Sequence, residues 1–327
     1  MAYLRSTRLL AFLLAATFCP AIRAASSDGL DAVRNDIVQG QADDAVRRLK
    51  QALTSNDQNA EAHNLLCRVS LQLEQWDQAV AQCERATTLS PDSSNYHLWL
   101  GRAYGAKAER ASMFSAYGFA RKLRDEFERA VTLDGRNADA MADLGEFYCS
   151  APSMVGGSTS KAESLVQKLN LVDPIRAHEL RARIADSKKD YVQEEAEFKA
   201  AISASPHPAN EWMSLASFYR KRGRLDDMVR AVKSGIAADK LHSVALVNGA
   251  STLIKSQQEL PLAAQMLKDY LGSNQKSEDS PAFEVHVQLG KLLAKQGDSS
   301  GAQHEFQAAL ALAHDYKPAS QAAGTGH

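Results

Sequence analysis

The strongest constraint on the fold of this chain is a pattern of small and apolar residues that recurs about every 34 residues. In residues 60–93, two apolar helical stripes flank a turn near Glu74 and Gln75, and Pro91 ends the second stripe. Comparable stretches follow one another from residue 26 to residue 316. One helix pair of this kind cannot bury its apolar face alone, so the units must stack. The expected fold is an all-α solenoid.

Eight units are expected, preceded by an N-terminal segment at 1–24 and followed by a disordered tail at 317–327. The units lie near residues 26–59, 60–93, 94–137, 138–174, 175–208, 209–242, 243–282 and 283–316. About ten extra residues around 106–122 should lengthen both helices of the third unit. We expect the apolar residues of this insert (Met113, Phe114, Tyr117 and Phe119) to cover an adjacent unit, because apolar stripes at helical spacing are usually core.

The unit at 60–93 resembles the tetratricopeptide repeat. Cys67, Ala79 and Ala86 stand at positions 8, 20 and 27, where that family has small residues, and small residues let antiparallel helices approach to about 8–10 Å. The resemblance implies a right-handed superhelix with a concave groove that holds protein or peptide ligands. The fourth unit has an insert around Gly156 and Gly157 that is similar to one in some exported bacterial members of the family.

The N-terminus has the pattern of a secretory signal peptide. Arg5 and Arg8 precede a ten-residue apolar run at 9–18, and Pro20 interrupts it. Such a run is too short to cross a bilayer, which needs about 20 residues. We therefore expect cleavage after Ala24 and a periplasmic or secreted protein.

Two alternatives to cleavage remain, namely an uncleaved anchor and lipid attachment at Cys19. Phe18 disfavours lipid attachment, because a lipobox has a small residue before the cysteine. Loss of residues 1–24 removes three arginines and no acid, so the formal net charge changes from −1 to −4. A chain this acidic has no general attraction for nucleic acid. No later segment is apolar enough to predict an integral membrane span.

Three cysteines lie beyond residue 24: Cys67, Cys83 and Cys149. An odd number argues against a disulfide framework. The expected vertical offset between Cys67 and Cys83, on opposite helices of one unit, makes a disulfide between them doubtful. Cys149, beside the insert of the fourth unit, is the better candidate for a reactive thiol, although an inert thiol is the favoured interpretation.

Catalytic and cofactor motifs are missing from the sequence. It contains no GxSxG, HExxH, Walker A or dinucleotide-binding fingerprint, and Gly156 and Gly157 are not followed by GK[ST]. His63, His97, His178 and His286 recur at position 4 of their units, where a packing role is favoured over metal binding. The sequence therefore predicts neither an enzyme nor a cofactor.

The resemblance implies that ligands contact positions 2, 5, 9, 12 and 13 of each first helix. Position 9 carries Arg34, Arg68 and Arg102, spaced by 34 residues, which should form a ladder along the inner wall. The other cationic groove candidates are Arg183, Arg220, Lys221, Lys255, Lys291 and Lys295. Such groups attract carboxylates, so the expected partner is a protein or peptide with acidic segments.

One alternative is that these cations are solvated and paired with neighbouring acids such as Glu61, Asp139, Glu146 and Glu179. The predicted function is a non-catalytic binding scaffold outside the cytoplasm. A structural accessory subunit of an envelope assembly or transport complex is the alternative, and an enzyme with an unrecognised site ranks last.

Overall fold

The computed structural model describes residues 25–324, and the signal-peptide prediction for 1–24 therefore lies outside the described residues. The described part contains seventeen α-helices and no strand beyond a single bridge between Ser277 and Ser280. The helices are α1 (Ala25–Gln39), α2 (Ala42–Ser55), α3 (Ala60–Gln72), α4 (Trp76–Leu89), α5 (Ser94–Ala108), α6 (Met113–Leu133), α7 (Ala138–Ser150), α8 (Thr159–Val172), α9 (Pro174–Ser187), α10 (Tyr191–Ala204), α11 (Ala209–Lys221), α12 (Leu225–Ala238), α13 (Val244–Ser256), α14 (Leu260–Gly272), α15 (Ala282–Lys295), α16 (Ser299–Leu312) and α17 (Lys317–Gly324). A short 3-10 turn, Ser153–Val155, precedes α8. None of the described helices is both long and apolar enough to span a bilayer.

Consecutive helices pair into hairpins, from α1 with α2 to α15 with α16, and the hairpins stack as a solenoid. Small residues at the crossing points allow this approach. A Cβ at Gly101 would lie 2.4 Å from the ring of Phe127, and one at Gly290 would lie 2.5 Å from the ring of Phe306. Large rings on the second helix therefore fill the space that glycine leaves on the first.

The turn inside each hairpin follows one backbone rule. The residue at position 15 has a positive φ in six of the eight units, namely Gly40, Glu74, Lys189, Gly223, Gln257 and Gly297. The third and fourth units are the exceptions, and they are the two in which extra residues lie at the turn between the two helices of the hairpin. A left-handed residue at this position ends the first helix and reverses the chain.

The insert of the third unit lengthens its second helix. Helix α6 has 21 residues, whereas most second helices have 14. Phe119 is half-buried, with its ring centroid 6.2 Å from that of Tyr104. Met113 and Phe114 are 72% and 89% exposed. Tyr117 is also exposed, so the prediction that these residues cover an adjacent unit is wrong for Met113, Phe114 and Tyr117, because the added turns extend past the neighbouring hairpins.

The two ends of the array contact each other. Val33 and Ile37 of α1 belong to the same buried cluster as Phe283 and Val287 of α15. A hydrogen bond also joins the two ends, because the backbone N–H of His314 donates to the carboxylate of Asp43 at 3.1 Å. The solenoid thus curves far enough for its first and last units to share a core.

The expected disordered tail is wrong for residues 317–324. These residues form α17, in which Ala319 is fully buried. Tyr316, just before it, is also buried and packs edge-on against Phe283 with ring centroids 4.8 Å apart. The small residues of this segment, rather than a repeat-like apolar stripe, allow the close packing. Residues 325–327 lie outside the described part.

Cys67 and Cys83 form a disulfide with their Cα atoms 5.3 Å apart, so the expectation against this bond is wrong. The two residues stand eight positions before and eight positions after Gln75, which lies in the turn. In an antiparallel hairpin, such symmetric positions lie at the same height, and both face the crossing point. Of the three cysteines in residues 25–324, Cys149 is the free thiol.

Candidate functional site

The first helices of successive units line the inner face, and three of them enclose a cavity of about 660 Å³. Its walls come from α9, α11, α13 and the loop at 279–280. They include residues at the expected groove positions 2, 5, 9 and 13, namely Arg176, Glu179, Asn210, Met213, Ser217, Val244, Ser251 and Lys255. The structure therefore brings residues at the expected ligand-contact positions together in one concave space.

Arg68 and Arg102 both lie against an aromatic ring that the sequence analysis missed. The guanidinium carbons of Arg68 and Arg102 lie 4.9 Å and 4.7 Å from the centroid of the Trp99 ring. Cations at this distance are attracted by the ring quadrupole. Trp99 stands at position 6, three residues before Arg102. An aromatic residue one helical turn before a groove arginine could have indicated this contact from the sequence. We call these three residues the arginine–tryptophan stack.

Each arginine of the ladder has a carboxylate partner. These acids offset the repulsion between the like charges of the row. Arg34 pairs with Asp31 and Glu61. Arg102 donates from Nε to Asp143 at 2.6 Å. These pairs agree with the alternative of neighbouring acids. Of the acids named for it, Glu61 pairs with the ladder, Asp139 pairs with Arg176 and Glu146 with Arg183, and Glu179 has no ion pair within the described residues.

Arg68 differs from Arg34 and Arg102 because its carboxylate partner, Glu278, lies far away in the sequence. Its Nε donates to the Glu278 carboxylate at 3.2 Å, and its Nη2 donates to the same oxygen. Gln72, at position 13 of the same helix, donates from Nε2 to the main-chain oxygen of Glu278 at 2.9 Å. Both the side chain and the backbone of Glu278 are therefore held on the inner face.

The segment that carries Glu278 is the loop at 273–281 between α14 and α15, which we call the acidic loop. The Lys276 ammonium donates to the Tyr270 and Leu271 carbonyls at 2.8 and 2.9 Å. The buried Tyr270 hydroxyl donates to the Ser280 carbonyl at 2.8 Å and accepts from the Ser277 N–H at 2.9 Å. These bonds fix an irregular segment across the groove.

Asp279 of the acidic loop lines the large cavity and contributes to the field at Arg102. Burial opposes the charged form of Arg102, but the neighbouring Asp143 favours it and raises its pKa. Asp139 and Asp279 make smaller contributions in the same direction. The acidic loop therefore delivers one carboxylate to Arg68 and a second negative charge near Arg102.

The remaining cationic candidates do not extend the ladder. Arg183 and Lys221 line a second cavity of about 290 Å³, where Arg183 lies 3.4 Å from Glu146. Lys255 lines the larger cavity. The Lys295 ammonium donates to Gln257 at 2.6 Å. Lys291 is exposed, and the buried Nε of Arg220 has no hydrogen-bond partner among the described residues.

The middle of the groove has more acids than bases. Asp173, Glu179, Glu211 and Asp279 line the large cavity, against two bases, Arg176 and Lys255. Burial raises the pKa of Glu179 and Glu211, and one oxygen of Glu211 has no hydrogen-bond partner within the described residues. The groove thus changes from arginine-rich near α3 and α5 to acid-rich near α9 and α11.

The four recurrent histidines join the two helices of their hairpins. His63 Nδ1 lies 2.6 Å from the Gln82 side chain, and His286 Nδ1 lies 2.6 Å from Glu305. His97 and His178 contact Glu126 and Glu197 in the same way. The separation is 19 residues in three units and 29 in the third, which reflects its ten-residue insert. Within the described part of the chain, no group of three or more His, Cys, Asp or Glu side chains is placed to hold a metal ion.

Cys149 does not have the properties of a reactive thiol. Burial, the largest influence, raises the pKa of its thiol to about 11, while Arg183 lowers it less. The thiolate is the nucleophilic form, so a raised pKa makes the group unreactive near neutral pH.

Comparisons with known proteins agree with this geometry. Residues 37–103 match the model of the tetratricopeptide repeat family. The mouse (Mus musculus) Superkiller complex protein 3 is 23% identical over 77% of this chain, and the chain spans only 18% of that protein's length. A thermophilic TPR protein of Thermus thermophilus shares 20% identity and a TM-score of 0.50 over 59% of this chain and 97% of that one. Yeast Tom70 shares 16% identity and a TM-score of 0.53 over 87% of this chain and 58% of that one. At these identities, the likeness to the solved structures establishes the fold alone.

Proposed function

This chain is a repeat protein of the tetratricopeptide fold, and on that premise we propose that it is a scaffold that holds an extended acidic segment of a partner protein on the arginine–tryptophan stack. Tetratricopeptide solenoids use their concave faces for binding. The preference for acidic segments is specific to this groove and rests on Arg68, Trp99 and Arg102.

The observation that carries the proposal is the position of Glu278. An irregular acidic segment already lies on the inner face, with its carboxylate on Arg68 and its backbone on Gln72. A partner segment with the same chemistry can make the same contacts when the acidic loop moves away. Arginine suits this role because its planar fork of N–H groups fits carboxylate oxygens.

The acid-rich cavity next to the stack adds a second selection rule. A segment that places its acidic residue on Arg68 and a basic residue over Glu179 and Glu211 would meet complementary charge at both points. A segment that is acidic throughout would be repelled by the cavity. The proposed ligand therefore carries an acidic residue followed or preceded by a basic one.

The test is a titration with a fluorescent peptide that copies residues 273–281, which contain both Lys276 and Glu278. In the double variant Lys276→Ala/Glu278→Ala, the acidic loop loses its anchor and its carboxylate, and the internal competitor is weakened. An internal competitor acts at an effective concentration in the millimolar range, so we expect this variant to bind the peptide at least about tenfold more tightly than wild type. Adding Arg68→Ala should abolish the gain.

The matched control is Arg230→Ala in the double variant, because Arg230 is an exposed arginine of α12 that pairs with Asp227 and lines neither of the two groove cavities described above. It should leave peptide binding unchanged. Equal binding with and without Arg68 would refute the proposed site. A stable stoichiometric complex from an extract that survives Arg68→Ala would favour a structural accessory role instead.

We also propose that the chain works outside the cytoplasm. The apolar run at 9–18 behind Arg5 and Arg8 supports export, and the Cys67–Cys83 disulfide adds support because such bonds persist in oxidising compartments. Mass analysis of protein from its native source should find Ala25 as the first residue and a mass that rises by about two daltons on reduction. An intact Met1, or two free thiols at Cys67 and Cys83, would contradict this proposal.

A further inference from the structure

The hairpin of α5 and α6 projects beyond the rest of the array. Helix α6 has seven residues more than a typical second helix of this chain, which corresponds to about 10 Å of added length. We call residues 110–122, at the free end of this hairpin, the hairpin tip.

The hairpin tip exposes a set of large apolar side chains on one side of α6. Met113, Phe114 and Tyr117 are 72%, 89% and 36% exposed. They share a helical face with Arg121, since their spacing follows the helical period. The other face of α6 packs against the core through Phe119 and Leu123. The segment is therefore anchored on its buried side, and its apolar outer side has no partner among the described residues.

The hairpin tip also carries positive charge in a chain that is negative overall. Residues 110–122 contain Arg110, Arg121 and Lys122 and no acid. Arg121 and Lys122 have no carboxylate partner anywhere in residues 29–324. Arg110 stacks on the Trp76 ring at 3.9 Å and lies 3.4 Å from Glu109. Positive groups thus flank the exposed Met113 and Phe114 along the chain, Arg110 before them and Arg121 and Lys122 after them.

We propose that the hairpin tip binds the surface of a bilayer that contains anionic lipids. Met113 and Phe114 enter the boundary between headgroups and acyl chains, and Arg110, Arg121 and Lys122 contact the phosphates. Interfacial apolar groups enter this boundary by about 5–10 Å, which matches the projection of the tip. Each basic residue near an anionic surface adds to the attraction.

The shape of the tip favours a lipid surface over a protein. Energetically important side chains of protein interfaces lie in well-packed pockets and cluster at the centre of a contact. Here the apolar side chains stand at the end of a narrow convex projection. A fluid bilayer can surround such a projection without a preformed pocket, and its phosphates are complementary to the three basic residues.

The test is flotation of the full chain with vesicles of phosphatidylcholine alone or with about one third phosphatidylglycerol, at low and high salt. The wild type should float with the anionic vesicles and lose this binding at high salt, because the Debye length falls to about 3 Å at 1 M salt. Met113→Ser/Phe114→Ser should weaken anionic-vesicle binding by about tenfold or more, since each side chain loses a large apolar burial. Arg121→Glu should weaken it as well.

The control is Leu171→Ser, which removes another apolar side chain that is 86% exposed but lies at the end of α8. It should float like the wild type. Each variant is also floated as a chain that begins at Ala25, because the apolar run behind Arg5 and Arg8 would itself bind anionic vesicles. The proposal is overturned if the wild type does not bind anionic vesicles or if the Met113/Phe114 variant binds them equally well. Capture of a protein through Phe114, without vesicle binding, would overturn it in favour of a protein partner.

Discussion

At the scale of single residues, a recurrent tyrosine–glutamate bond ties neighbouring hairpins together. The hydroxyls of Tyr104, Tyr148 and Tyr219 donate to Glu84, Glu128 and Glu195 at 2.6, 2.6 and 2.8 Å. Each bond joins a first helix to the second helix of the unit before it. A cation also lies over each ring, namely Lys122, Lys161 and Arg224. The same contact therefore stabilises three of the stacking interfaces.

Glu195 is the most connected of these acids, and its ionisation should couple to stability. Burial opposes its charge, but hydrogen bonds from Lys199, Tyr219 and Arg224 lower its pKa to about 2. A carboxylate with a lowered pKa stabilises the fold above its ordinary pKa of about 4.3, and this contribution is lost as the pH falls from there towards 2. Lys199 and Arg224 are exposed, and solvent screening reduces the stabilisation that they give to Glu195. We therefore expect Glu195→Gln to lower the free energy of unfolding by about 1–2 kcal/mol at pH 7.

Urea unfolding of wild type and Glu195→Gln at pH 7 and pH 3 measures this coupling. The difference in the free energy of unfolding should be clearly smaller at pH 3. Glu109→Gln is the control, because Glu109 is an exposed acid with one weak pair to Arg110. A Glu195→Gln penalty that is the same at both pH values would show that the loss comes from packing instead of charge.

At the scale of the helical hairpin, the turn decides where the first helix ends. Three units place glycine at position 15, whereas Glu74, Lys189 and Gln257 adopt the same left-handed backbone with φ of 57° to 59°. A residue with a Cβ is strained there, and the left-handed region costs it about 1–2 kcal/mol. These three turns therefore carry a local strain that the other three avoid.

Lys189→Gly should relieve this strain. Once the larger conformational entropy that glycine loses on folding is subtracted, the free energy of unfolding should rise by about 0.5–1 kcal/mol. Lys189 is exposed and has no ion pair within the described part of the chain, so its side chain contributes little else. Lys189→Ala is the matched control and should show no gain. Denaturant unfolding of wild type, Lys189→Gly and Lys189→Ala gives the order of their stabilities. A gain in stability in Lys189→Ala would contradict the explanation by backbone strain.

The sequence predicted the hairpins well because their signals are local and repeated. Small residues at positions 8, 20 and 27 recur with the period of the fold, and Gly40, Gly223 and Gly297 mark three of the turns. The left-handed Glu74 and Lys189 could not be predicted, since nothing in their residue type indicates that backbone. The exposed Met113 and Phe114 were misassigned because a helical apolar stripe looks the same whether or not a neighbour covers it.

At the scale of the whole molecule, the contact between the first and last units changes how stability is distributed. An open array is stabilised by each unit and by its neighbours only. Here α1 and α15 also share a buried cluster, although they lie at opposite ends of the sequence. Arg68 and Glu278 are likewise separated by 210 residues, and no repeat period relates them. Such contacts depend on the accumulated curvature of the array, which a single sequence does not reveal.

Gly40→Ala should open this junction. Gly40 has a φ of +73°, and a Cβ there would lie 2.4 Å from the backbone nitrogen of Ala282. Gly223→Ala is a matched control, since Gly223 has a φ of +71° at the same position of its unit and has no neighbour within 4 Å. Both variants should lose about 1 kcal/mol from the left-handed backbone, and Gly40→Ala should lose at least about 1 kcal/mol more.

Hydrogen exchange localises the effect. In Gly40→Ala, protection should fall in both α1 and α15, at opposite ends of the sequence, whereas in Gly223→Ala it should fall only around α11 and α12. Equal free energies of unfolding, or unchanged protection at the two ends, would show that the junction contributes nothing to the fold.

The acidic loop has a kinetic consequence. Glu278 pairs with Arg68, so under the proposed function an incoming segment would not meet an open site, and its association would wait for the loop to depart. At low ligand concentration the observed rate would rise with concentration, but at high concentration it would level off at the rate of loop departure. In that regime two unrelated acidic ligands would bind at one common rate and differ only in how long they remain bound.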